Sequence, residues 1–179
     1  RDGSVFPAEV KLSSGRHRRR RIFVACVRDT TAEENARLLS KDRLRVVELI
    51  SRNAALPEVL EALTQMVERQ LPGSYCVVML RQHGRLVPAS AASLPAELLR
   101  DLEDLPIEAS RASCAAAASE ARIVVARDLA RTGMHPSFRE HGIRSSWSAP
   151  VFSGEGSVVG TVAVYQRAEA EPNADQTGL

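Results

Sequence analysis

The chain has 179 residues, 44% of them hydrophobic, and its 24 basic and 22 acidic residues leave a net charge of +2. That length suits one domain or slightly more, and so small a charge excludes a polyanionic partner such as nucleic acid across the whole surface. No apolar run reaches the ~18 residues of a membrane-spanning helix, no secretory segment opens the sequence, and three scattered cysteines (Cys26, Cys76 and Cys114) fit buried thiols in a reducing, cytoplasmic compartment better than a disulfide framework.

The chain opens on Arg1-Asp2-Gly3 without a methionine, which reads as a piece of a longer protein. Residues 1–31 form the first stretch. Val5 to Leu12 alternate with period two, Ser13-Ser14-Gly15 is a turn signal, and Ile22 to Val27 is a second β-rich run. Two strands alone bury no core, so this hairpin needs a partner. Between its strands lies the one basic run, Arg16 to Arg21. It has no interleaved aromatic residue, so a solvated strand end is favoured over a nucleic-acid or lipid patch.

Residues 32–52 are helix-forming. Asp29 or Thr31 can cap the helix, and Glu33 and Glu34 suit its first turn. Leu39, Val46 and Ile50 make one stripe, and Leu44 and Val47 widen it enough for two contacts: one with the following domain, one with a second copy in a homodimer. Asn53 to Pro57 interrupt the pattern. Pro57 suits the first turn of a further helix, Glu58 to Gln70, which ends at Leu71-Pro72-Gly73.

Residues 53–167 mix helix and strand. Tyr75–Leu80 and Leu86–Ser90 are strands around the tight turn His83-Gly84. Short helices follow at 95–102 and 114–119, then a strand at 122–126 and a helical turn at 136–141. A last hairpin runs from Gly142 through Ser153-Gly154-Glu155-Gly156 to Tyr165. Irregular alternation without a βαβ repeat predicts an α+β fold with a mostly antiparallel sheet. Residues 168–179 are a polar tail.

Several short segments, in order and at matching spacing, resemble the GAF domain of bacterial signalling proteins over residues ~40 to 167. Pro72 to Cys76 resembles the start of that family's first strand, and Ser113-Cys114 with Ala117 its Ser-Cys-Gly-x-Ala. Val124-Val125 with Asp128 resembles Val-Val-x-x-Asp-Ile. Gly142-Ile143-Arg144 to Pro150, with Trp147 and Ser148, resembles Gly-x-Arg-x-Cys-Trp-Ser-x-Pro, and Val159-Gly160-Thr161 resembles Leu-Gly-Thr. Ser146 replaces the family's cysteine and Ala115 its glycine, which removes thiol chemistry beside the tryptophan. Residues 1–31 are similar to the last hairpin of a PAS domain, with Asp29-x-Thr31 as its closing motif. The resemblance implies a regulatory sensor rather than an enzyme. Its central antiparallel sheet is flanked by helices and sits upstream of an output domain in the same polypeptide. Cyclic-di-GMP turnover (GGDEF and EAL domains) is the first expectation for that output, and a histidine kinase the second.

The resemblance implies a small-molecule pocket near Cys114, Asp128, His135, Phe138, His141 and Trp147. All but Phe138 have a plainer alternative. Cys114 begins a helix whose dipole can lower a thiol pKa, or is a small packed residue. Asp128 lines a cavity mouth or caps a loop. His135 and His141 touch a ligand or bind haem axially, or are loop histidines. Trp147 stacks on a ring, or is core. No zinc spacing is present, no cofactor is required, and no nucleophile–base signature supports catalysis.

Overall fold

A computed structural model describes residues 5–18, 20–108, 112–129 and 136–167. Contacts divide the chain into two units, residues 1–45 and 46–179, so the boundary falls inside a helix rather than before it.

In the first unit, β1 (Ala8–His17) pairs antiparallel with β2 (Arg20–Asp29). Ser13, Ser14 and Gly15 do not turn the chain. They pair in register with Val24, Phe23 and Ile22, and the reversal comes at Arg18, whose φ is +44°. One face of the ribbon carries Val10 and Leu12 opposite Val27 and Ala25, and every residue of β2 is exposed. The Asp29 carboxylate accepts hydrogen bonds from the Thr31 N–H (2.9 Å) and hydroxyl (2.6 Å). It thereby satisfies an orphan donor at the start of α1 (Thr31–Ser51). Those bonds to the charged form hold its carboxyl below the usual range.

In the second unit, Leu49 near the end of α1 is buried against Val59 and Ala62 of α2 (Leu56–Gln70), with Val46 and Leu63 packed on the same cluster. Pro57 in the first turn of α2 carries no N–H to leave unsatisfied.

Six antiparallel strands follow in the order β5-β4-β3-β8-β7-β6. They are β3 (Ser74–Gln82), β4 (Arg85–Ser90), β5 (Leu105–Pro106), β6 (Val124–Ala126), β7 (Ser145–Phe152) and β8 (Val158–Gln166). His83 and Gly84 both take positive φ, as a two-residue hairpin turn requires. Gly160 is fixed by a close approach: a Cβ there would run into the Met79 carbonyl oxygen of the neighbouring strand.

Alternation divides the sheet into two faces. One carries Val77, Met79, Ala163 and Tyr165. It is covered by α3 (Ala96–Asp101), α4 (Ser113–Glu120) and α5 (Pro136–Glu140), which supply Leu98, Cys114, Ala115 and Phe138 to the larger core. The other carries Cys76, Trp147 and Val164 and packs against Val67 and Leu71 at the end of α2.

Candidate functional site

Among the described residues, the face under α3, α4 and α5 is apolar but for a few buried hydroxyls, three of which form a knot. Serines at alternate positions of β7, Ser146 and Ser148, point to one side of the sheet. Ser113, at the start of α4, sits between them, its Oγ 2.9 Å from each of theirs, and all three are buried. The knot anchors the start of α4 to the sheet.

Beside it, Tyr165 is fully buried, its ring 5.0 Å from that of Phe138. The Tyr165 hydroxyl neighbours the Cys114 thiol. Neither it nor the Thr161 hydroxyl finds a partner at hydrogen-bonding geometry among the described residues. Burial pushes the Cys114 thiol up to about 11, against the pull of backbone amides at the helix start and of the neighbouring Tyr165 hydroxyl. The dipole effect expected from its position is therefore outweighed by desolvation, and the thiol is neutral near pH 7. Burial also raises Tyr165 well above the ordinary phenol value.

Cys114 and Phe138 thus share this face. Asp128 is exposed on the segment after β6. His141 is half-buried at the end of α5. Its Nδ1 lies 2.9 Å from the Ser137 carbonyl and its Nε2 3.4 Å from the Glu97 carboxylate, so both ring nitrogens are engaged by protein oxygens. Ser137 donates to Asp101 and completes the tie between α5 and α3. His135 lies outside the described residues. Trp147 is separated from Cys114 and Phe138 by the sheet itself, so the pocket candidates do not converge on one place. The period-two spacing Ser146-x-Ser148 on a strand signals that the two hydroxyls share a face; that Ser113 joins them depends on where α4 packs and carries no sequence signal.

The opposite face holds the cavity. Two polar ties seat α2: Thr64 and Ser90 hydroxyls at 3.1 Å, and the Cys76 N–H donating to Glu68 Oε1 at 2.9 Å. These fix α2 to β4 and β3. Toward β8 and β7 a cavity of about 510 Å³ remains, walled by Leu60, Leu63 and Met66 of α2 and by Val78, Trp147, Ala149 and Val162 of the sheet. Among the described residues, no charged side chain lines it. Cys76 lies in its wall, its thiol pushed up to about 12 by burial and then by the nearby Glu68 charge. Of the three residues proposed for a helical seam, Leu39 and Val46 are half-buried and Ile50 is exposed. Leu44 and Val47 are exposed too. Among the described residues, no group of three or more His, Cys, Asp or Glu side chains is placed to hold a metal.

The sequence model of the GAF domain matches residues 55–177. A curated relative, the methyl sulfide methyltransferase-associated sensor of Methanosarcina acetivorans, is 28% identical over 154 residues. That covers 83% of this chain and 15% of the relative, so the chain spans a small part of that protein's length. Many solved structures share the fold, among them the following two. The GAF domain of a phosphoenolpyruvate-protein phosphotransferase from Coxiella burnetii is 15% identical with a TM-score of 0.64, covering 82% of this chain and 86% of that one. Free methionine-R-sulfoxide reductase from Neisseria meningitidis, in complex with its substrate, is 16% identical with a TM-score of 0.59, covering 75% and 74%.

Proposed function

This chain belongs to the GAF domain family, and we propose that it is a non-catalytic sensor and relay module within a longer signalling polypeptide. The observation that carries the reading is the attachment of α2 to the sheet through Thr64–Ser90 and Glu68–Cys76. A change in the sheet moves α2, and α2 moves the end of α1 through Val59, Ala62 and Leu49. Helices so coupled are two-state elements that a ligand or partner can bias. The exposed Val47 and Ile50 on α1 give a second copy its contact, so the relay works as a homodimer.

The signal leaves toward an output domain of the same polypeptide. Cyclic-di-GMP turnover is our first assignment for that output, supported by the Trp147-Ser148-x-Pro150 motif, with a histidine kinase as the alternative. The matched relative is itself named a sensor and is far longer than this chain, which supports a multidomain setting. The hairpin β1–β2, exposed on both sides, fits the end of a PAS domain. A cytoplasmic location suits this assignment; no described helix is long and apolar enough to cross a membrane.

Reductase activity on a free sulfoxide is disfavoured by geometry. Cys76 and Cys114 lie on opposite faces of the sheet, and burial raises both thiols. A thiol held neutral is a poor nucleophile, and two thiols divided by a sheet cannot close a disulfide. Incubating the protein with methionine-R-sulfoxide and a thiol reductant should give no methionine above the protein-free rate. Turnover that is lost in Cys114→Ser would overturn the non-catalytic reading.

A further inference from the structure

We propose that the tip of the β1–β2 ribbon enters the major groove of double-stranded DNA and binds the phosphates of both groove walls through Arg16, Arg18, Arg20 and Arg21, without reading the sequence. DNA binding here is independent of the sensor reading. The near-neutral total charge conceals a division. Residues 1–45 carry 12 basic and 6 acidic side chains, a net of +6, while residues 46–179 carry 12 basic and 16 acidic, a net of −4. Within the basic unit, the sequence from Val10 to Arg28 contains no acidic residue, and five of the six residues from Arg16 to Arg21 are arginine.

The sequence alone favours a solvated strand end; the register of the ribbon changes that. It sets Arg16 directly opposite Arg21, a like-charge pair that costs hairpin stability. Arg18 holds the turn at φ +44°, where asparagine or glycine sits more easily. The ion pairs Lys11–Glu9, Arg28–Glu33 and Arg37–Glu34 of this unit lie away from the tip. Among the described residues no acidic side chain pairs with Arg16, Arg18, Arg20 or Arg21, and all four are exposed. Folding alone does not favour this arrangement, and a dense polyanion relieves its repulsion.

Shape selects among polyanions. Strand parity puts Arg16 and Arg21 on one face of the ribbon and Arg20 on the other, with Arg18 at its end. A flat anionic bilayer meets one face at a time. A groove with a phosphate ridge on each side meets both. The major groove of B-form DNA, ~12 Å wide, admits a two-stranded ribbon, whereas that of A-form RNA is deep and narrow. A second copy is a poorer partner. In its acidic stretch, residues 97–108, Glu97 is engaged by His141, Asp101 by Ser137 and Asp104 by Arg85. Contacts to phosphate carry no sequence information.

The test uses the 179-residue chain and the fluorescence anisotropy of a labelled B-form duplex two helical turns long. The logarithm of the binding constant should fall against that of the salt concentration with a slope of about −3.6, ~−0.9 for each of four phosphates. Arg16→Ser with Arg21→Ser should weaken binding and reduce the size of that slope by about 2. Arg16→Lys with Arg21→Lys, which keeps the charge, should leave both in place. So should Arg43→Ser with Arg45→Ser, exposed on α1. Far-ultraviolet circular dichroism should be native in every variant; if the serine pair disturbs it, Arg18→Ser with Arg20→Ser takes its place. No binding at low salt, a slope unmoved by the tip variants, or an equal loss from the α1 pair would overturn the proposal. So would tighter binding to a single strand of the same bases, which has no groove, or a preference for phosphatidylglycerol vesicles over the duplex, which would assign the tip to a lipid surface.

Discussion

Ser113 carries more of the domain's architecture than its size suggests. Its hydroxyl is shared between Ser146 and Ser148 in the interior, so removing it strands two buried hydroxyls rather than one. Ser113→Ala should destabilise the domain by about 1–3 kcal/mol, the cost of buried polar groups left unmade, read as a lower denaturant midpoint at unchanged slope. The buried thiols and phenol make a pH prediction. Cys76, at about 12, and Cys114, at about 11, are raised above the ordinary 9.0, and Tyr165 is raised in the same sense. The folded state holds these protons more tightly than the unfolded chain does. Their contribution is therefore full below about pH 9 and is lost as pH rises through 11 to 12. Thermal midpoints should be insensitive to these groups near neutrality and should fall steeply above pH 9; Cys76→Ala should flatten part of that fall. At this scale the sequence was legible in identity but not in partnership. Cys114 stands out as a cysteine at a helix start, yet desolvation, which decides its pKa, depends on what covers it. Trp147 and Cys114 both lie in motifs of the resemblance, yet parity along β7 turns Trp147 toward α2 while α4 brings Cys114 to the other face.

Among the elements, α1 has the clearest local device. Thr31 donates twice to Asp29 at the helix start, and this pair was readable as a capping signal. Asp29→Ala should speed amide exchange at residues 31–34 while leaving α2 protected, and acidification through the lowered Asp29 pKa should do the same. The helices and most strands follow from periodicity and from Pro57, Pro72 and Gly84, because local chemistry fixes them. The turn of the first hairpin did not follow. Ser13-Ser14-Gly15 has turn composition, but cross-strand pairing with Val24, Phe23 and Ile22 holds it extended. The strand β5 escaped notice because two residues, Leu105 and Pro106, carry no period; only their pairing with Arg85 and Leu86 makes them a strand.

Over the GAF unit, the two faces of the sheet are covered differently among the described residues. Phe138, Tyr165 and the helices above them pack on the first, while α2 covers β3, β4 and, at its end, Trp147 and Val164 of the second and leaves a cavity beside them. The mixed fold with an antiparallel sheet was legible from irregular alternation of helices and hairpins without a βαβ repeat, and the family from short motifs that kept their order and spacing. The cavity was not, since it arises from where α2 is pinned by Thr64 and Glu68, two residues ordinary in any helix. The relay reading turns on self-association through α1, and light scattering across a concentration series measures it most directly. A dimer is predicted for the native chain, converted to a monomer by Val47→Glu with Ile50→Glu while far-ultraviolet circular dichroism and melting stay unchanged. A monomer at every concentration, or a dimer indifferent to both substitutions, would contradict it.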